Sequence, residues 1–169
     1  MDKSTAQPGV TLSKEQREQA AHRILFDFSH AAGRSDARVF AKKMNLAPGL
    51  EALAAAPAHM AHAGWAVVAL NNIDDHQLLR DESTVALQLG HLNSFETHSH
   101  AHFAAAADED QQQSSTYHSV CVMNSGYSSG WLCEALGHSE LVAAEVMCRA
   151  RGAPHTPHAP HTTRHTTNR

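Results

Sequence analysis

The chain has no apolar run long enough to cross a bilayer. The run from Ala63 to Leu70 falls far short of the ~18 residues a membrane helix needs. Met1 to Val10 lack the basic and apolar regions of a signal peptide, so a cytoplasmic location is expected. Cysteine is scarce as well. Three residues, an odd number without a secretory signal, argue against a disulfide framework and for reduced thiols, buried or on a metal. Positive charge is not in excess: the net charge is −4 with histidine neutral, which excludes a general nucleic-acid-binding surface. Aromatics make up only 5% of the residues.

Histidine, by contrast, is abundant, with 15 among 169 residues. Partial protonation near pH 6 would erase the negative charge. The length suits one domain, and 42% apolar residues permit a core. Ser13 and Gln16 form a capping-box pattern, and Ala20, Ala21, Ile24, Leu25 and Phe28 follow at helical spacing. Gly33 is expected to end this helix, with Ser35 capping a second one to about Met44. Leu50 to Ala56 reads as a third helix closed by Pro57. Trp65 to Leu70 and Thr84 to Leu89 read as strands. Ser94 to Phe103 fits a third strand, with His98, His100 and His102 on one face as a metal or pH-sensing patch, or a solvated face. A helix is nearly as well supported there.

Ala104 to Ser115 is of low complexity and reads as a loop. Tyr117 to Leu136 is apolar but dotted with glycine, and Leu141 to Cys148 has the length of a strand. Helices first and strands later predict an α+β fold with N-terminal helices and a mostly antiparallel sheet. The expected organisation is a flexible segment 1–13, a domain 14–153 and a disordered His/Thr/Pro tail 154–169.

Two sites suggest chemistry. Cys121, Glu145 and Cys148 can supply two thiolates and a carboxylate, and His155 a fourth ligand, matching the tetrahedral S, N and O preference of zinc. Equally, Cys121 and Cys148 can be small buried hydrophobes. Gly126-Tyr127-Ser128-Ser129-Gly130 fits the Gly-x-Ser-x-Gly elbow of serine hydrolases. That elbow needs a preceding parallel sheet and room downstream, and only 41 residues follow Ser128. The glycines fit better as positions where a helix packs closely on a neighbour.

The same stretch resembles the 4-vinyl reductase domain, as found in the sensor regions of aromatic-responsive bacterial activators. The matching residues are Cys121, Gly126-Tyr127-Ser128-Ser129-Gly130, Gly137, Glu145-Val146-Met147-Cys148 and Gly152. Upstream, Ala56-Pro57-Ala58-His59 and Asn93-Ser94-Phe95-Glu96 resemble two further segments, so the likeness runs roughly from residue 22 to 153. The resemblance implies a domain binding a small aromatic or lipophilic ligand, with structural zinc at the Cys121, Glu145 and Cys148 positions. It also implies signal output through an attached effector protein or domain.

His59, Trp65 and Phe95 are the expected pocket residues, one polar anchor among apolar walls. His59 reads equally as a core histidine bonded to a carbonyl. The resemblance also allows a subunit of tetrapyrrole vinyl-group reduction, or a homodimeric interaction module like those of vesicle-tethering complexes. With no dinucleotide fingerprint in the chain, a reductant would come from a partner.

Overall fold

The computed structural model describes residues 11–71, 88–92, 94–105 and 121–145. The expectations for the loop at 106–115, the start of the second strand at 84–87, residues 146–148 and the tail 154–169 lie outside these residues. Helix α1 runs from Lys14 to Met44. Its start is the expected one. Gln16 N–H donates to Ser13 Oγ at 3.1 Å, and Ser13 N–H donates back to Gln16 Oε1 at 2.9 Å. Its end is Asn45, which takes the left-handed conformation at φ 55°.

Gly33 does not break this helix. An interior glycine costs about 1 kcal/mol against alanine, but a packing requirement outweighs that local preference. A Cβ at Gly33 would strike the Tyr127 carbonyl of the partner helix.

Pro57 likewise opens a helix instead of closing one. α2 spans Leu50–Ala54 and α3 spans Ala56–His62, with Pro57 in the first turn of α3. Proline is tolerated there because its missing N–H would have no intrahelical partner. β1 (Val67–Asn71) and β2 (Gln88–Leu92) pair antiparallel, in a register that sets Val67 opposite Leu92 and Asn71 opposite Gln88. Trp65 therefore precedes the strand it was expected to start.

α4 (Phe95–Ala105) replaces the third strand. Ser94 starts it, its Oγ accepting Thr97 N–H at 3.3 Å and its carbonyl accepting His98 N–H at 3.1 Å. A helix turns about 100° per residue, so His98, His100 and His102 do not share one face. α5 (Val122–Leu136) ends at Gly137, φ 70°, where His138 N–H reaches back to Cys133 O at 2.9 Å. Residues 141–145 form no strand.

Among the described residues the fold is mostly helical, and the expected antiparallel sheet is represented by one pair of strands. No described helix is long and apolar enough to cross a membrane.

α5 is the centre of the core. α1 lies along it so closely that a Cβ at Gly126 or Gly130 would strike the Phe26 or His30 carbonyl of α1. Arg38 locks the pair outside, donating to Glu134 through Nε at 2.8 Å and Nη2 at 3.0 Å, with Arg34 alongside. Those bonds from Arg38 hold the Glu134 carboxyl below its ordinary value. On its other sides α5 buries Tyr127, Trp131 and Leu132 against Leu53, Met60 and Val68.

Candidate functional site

Five of the nine aromatic residues, Phe40, Trp65, Phe95, Tyr127 and Trp131, gather in one place. Tyr127 and Trp131 lie four residues apart on α5, so both project to the same side of that helix. Trp65 stacks on Tyr127 with ring centres 4.3 Å apart, and Phe95 meets the Trp65 ring edge-on at 5.5 Å. At the other end Trp131 lies 4.8 Å from the His59 ring, and Phe40 of α1 meets His59 edge-on at 5.5 Å. Phe40 and Trp131, with Ala37 and Ala52, also line a cavity of about 80 Å³.

One polar group is buried in this cluster without a hydrogen bond. His59 Nε2 has no hydrogen-bond partner and stands 3.5 Å from Asp36 Oδ2. That oxygen is taken by Tyr127, whose hydroxyl donates to it at 2.7 Å. Burial pushes the Tyr127 hydroxyl pKa well up, and the Asp36 carboxylate pushes it further, so Tyr127 remains a neutral donor. A buried nitrogen left unpaired costs free energy that a ligand bond would recover. The carbonyl contact considered for His59 is not formed.

The structure brings Trp65 and Phe95 into contact and places His59 in the same cluster, across Tyr127 and Trp131. Phe95 sits at its rim, 42% exposed. Sequence reasoning missed Asp36, Phe40, Tyr127 and Trp131. The four-residue spacing of Tyr127 and Trp131 was a usable signal. Asp36 and Phe40 carried none, because they come from a helix about ninety residues away in sequence.

A second polar cluster surrounds the start of α5. Glu96 is buried and accepts Met123 N–H at 2.9 Å and Asn124 N–H at 2.8 Å. It thereby satisfies amides that every helix start leaves open. Burial raises the Glu96 pKa, while these N–H bonds pull it back. Asn124 donates through Nδ2 to Ser94 Oγ, and Cys121 Sγ lies 3.3 Å from Thr97 Oγ1.

Two of the expected metal-ligand residues are linked here through the backbone, Cys121 N–H donating to Glu145 Oε2 at 3.3 Å. Cys148 and His155 lie outside the described residues. Among the described residues no group of three His, Cys, Asp or Glu side chains is gathered to hold a metal. The remaining cysteine, Cys133, is a core thiol: its Sγ faces Leu141 O at 3.4 Å, and burial raises its pKa. Ser128 is buried inside α5, not on a strand-to-helix elbow, so the Gly-x-Ser-x-Gly pattern is a helix-packing motif.

A long helix lies along a glycine-rich helix, and an aromatic cluster joins the glycine-rich helix to the segments on either side of β1. Among solved structures, the fold is similar to the phenol-responsive sensory domain of the transcription activator PoxR, determined with phenol. The TM-score is 0.62 at 20% sequence identity, over 86% of this chain and 64% of that domain. The chain therefore shares the fold while spanning less than two thirds of the length of that chain. No protein-family model matches the chain, and no curated protein sequence does.

Proposed function

We propose that the chain is a small-molecule-sensing domain whose ligand is a compact aromatic compound carrying one polar substituent. The observation that carries this reading is His59 Nε2, buried among Phe40 and Trp131 with no hydrogen bond of its own. An aromatic ligand would stack on these rings, while its hydroxyl or similar group pairs with His59. Asp36 Oδ2, which accepts the Tyr127 hydroxyl, stands 3.5 Å from the same nitrogen and would share it with the ligand. The fold shared with a phenol-responsive domain supports the same reading.

Titration with phenol, followed by tryptophan fluorescence, tests it. Saturable quenching is expected, with affinity reduced about tenfold or more in His59→Ala while the melting temperature holds. Failure of phenol, cresols and naphthalene alike to bind folded protein would overturn the proposal.

Cys121, Glu145 and Cys148, with His155 as fourth ligand, make up a proposed structural zinc site beside the start of α5. Two thiolates, a carboxylate and an imidazole suit tetrahedral zinc, which would tie the segment after α5 to α4 and α5. About one zinc per chain is expected by elemental analysis, lost in Cys121→Ser together with several degrees of thermal stability. Equal zinc content in the two proteins would sink this assignment, since the histidine-rich tail alone would then account for it. In this reading the ligand signal passes to an effector protein or domain joined to the chain.

A further inference from the structure

We propose that Asp36 is the specificity-determining residue of the aromatic site, and that its charge makes the site accept a neutral polar substituent and reject a carboxylate. The proposal rests on the aromatic-ligand reading above and adds a charge rule to it. Asp36 lies four residues before Phe40 on α1, so both side chains project to the same side of that helix. Phe40 meets the His59 ring edge-on, and Asp36 Oδ2 stands 3.5 Å from His59 Nε2. A ligand atom hydrogen-bonded to Nε2 at about 2.9 Å therefore falls within about 6.5 Å of that oxygen. A negative charge placed there is repelled, and more strongly between aromatic rings than in open water.

The neighbours of Asp36 leave this charge in place. Arg34 and Arg38 lie two residues away on either side along α1, yet both turn to Glu134, with N–O distances of 3.4 Å and 2.8 Å. Among the described residues, His59 is the one basic side chain within ion-pairing distance of Asp36. Tyr127 donates its hydroxyl to Oδ2 at 2.7 Å and brings no charge. A carboxylate ligand would thus set a second negative group beside the single imidazole, and it has no hydrogen to offer either acceptor. A hydroxyl adds no charge. It can donate or accept, so it suits either tautomer of His59, and it can also donate to Asp36. A carboxylate has about four acceptor positions, and Tyr127 occupies one.

Calorimetric titration of the full chain at pH 7 with phenol, benzamide and benzoate tests the proposal. Benzamide and benzoate match in shape and differ in charge. Phenol and benzamide are each expected to bind at least about tenfold more tightly than benzoate. Desolvation of the anion supplies part of that preference, so the deciding quantity is how the ratio changes when the Asp36 charge is removed. Asp36→Asn keeps an oxygen to accept the Tyr127 hydroxyl. It should narrow the neutral-to-anion ratio at least about fivefold, chiefly by tightening benzoate. Asp36→Ser removes the charge without adding an amide and should narrow the ratio in the same direction, so an unstable Asn variant leaves it measurable. A ratio unchanged in both variants, with all three compounds weakened alike, would overturn the proposal, because Asp36 would then only shape the pocket. Benzoate binding to the native protein as tightly as phenol would overturn it too. Failure of all three compounds to bind folded native protein would instead remove the sensing reading, and the charge rule with it.

Discussion

Along its inner face α1 buries Ser29, Gly33 and Ala37, with Ser29 against Gly126 and Gly33 against the Tyr127 backbone of α5; along its outer face it offers Leu25, Phe28 and Val39 to solvent. The small residues are buried and the large apolar ones are not. Hydrophobicity alone would assign the faces the other way round. What decides is the separation of the helix axes. Two backbones brought into direct contact leave no room for side chains, so dispersion contacts and the Arg38–Glu134 clamp stabilise that interface. Among the described residues the outer face has no such neighbour, and it keeps its large side chains exposed.

The largest expected effect breaks the inner face. Gly130→Val places branched carbons against the His30 carbonyl, where flexible side chains cannot yield. A loss of at least about 3 kcal/mol is expected, read as a shifted urea midpoint, because the helices must separate.

A smaller effect comes from the clamp. Arg38 holds the folded Glu134 carboxyl below its ordinary value, so its contribution is complete above the ordinary carboxylate range. It is lost as pH falls through the lowered folded value. Glu134→Gln should therefore lower the melting temperature at pH 7 by a small amount, and the gap to the native protein should narrow as the pH falls below the ordinary carboxylate range. A gap that did not narrow would mean that the glutamate acts through packing and not through charge.

The smallest effect belongs to the outer face. Phe28→Ser should change the stability of the monomer by no more than about 0.5 kcal/mol in denaturant titrations at dilute protein. A large loss would show that the face is already covered within the chain.

Local chemistry made part of this molecule legible. The capping box at Ser13 and Gln16, the apolar β1 segment and the packing role of the α5 glycines all follow from neighbouring residues. Gly33 and Pro57 misled because each has a local meaning, helix end or helix stop, that a distant contact or a position in the first turn reversed. The strand expected over Ser94 to Phe103 became a helix once Ser94 served as its cap. At the site, His59 stood out as a polar residue at the entry to an apolar segment. Its surroundings did not, because Asp36, Phe40, Tyr127 and Trp131 join it only when α1 and α5 pack.

By itself, then, the sequence determined where α1 starts and that Gly126 and Gly130 allow a close neighbour. These are properties of a residue and its near neighbours, fixed by capping, periodicity and side-chain chemistry. The tertiary structure decided that Gly33 continues a helix, that Trp131 and Phe40 enclose His59, that Glu96 closes the start of α5, and that α1 turns a row of large apolar side chains outward. Each of these depends on which backbones come into contact across long stretches of chain, and that is settled only by the packing of the whole core.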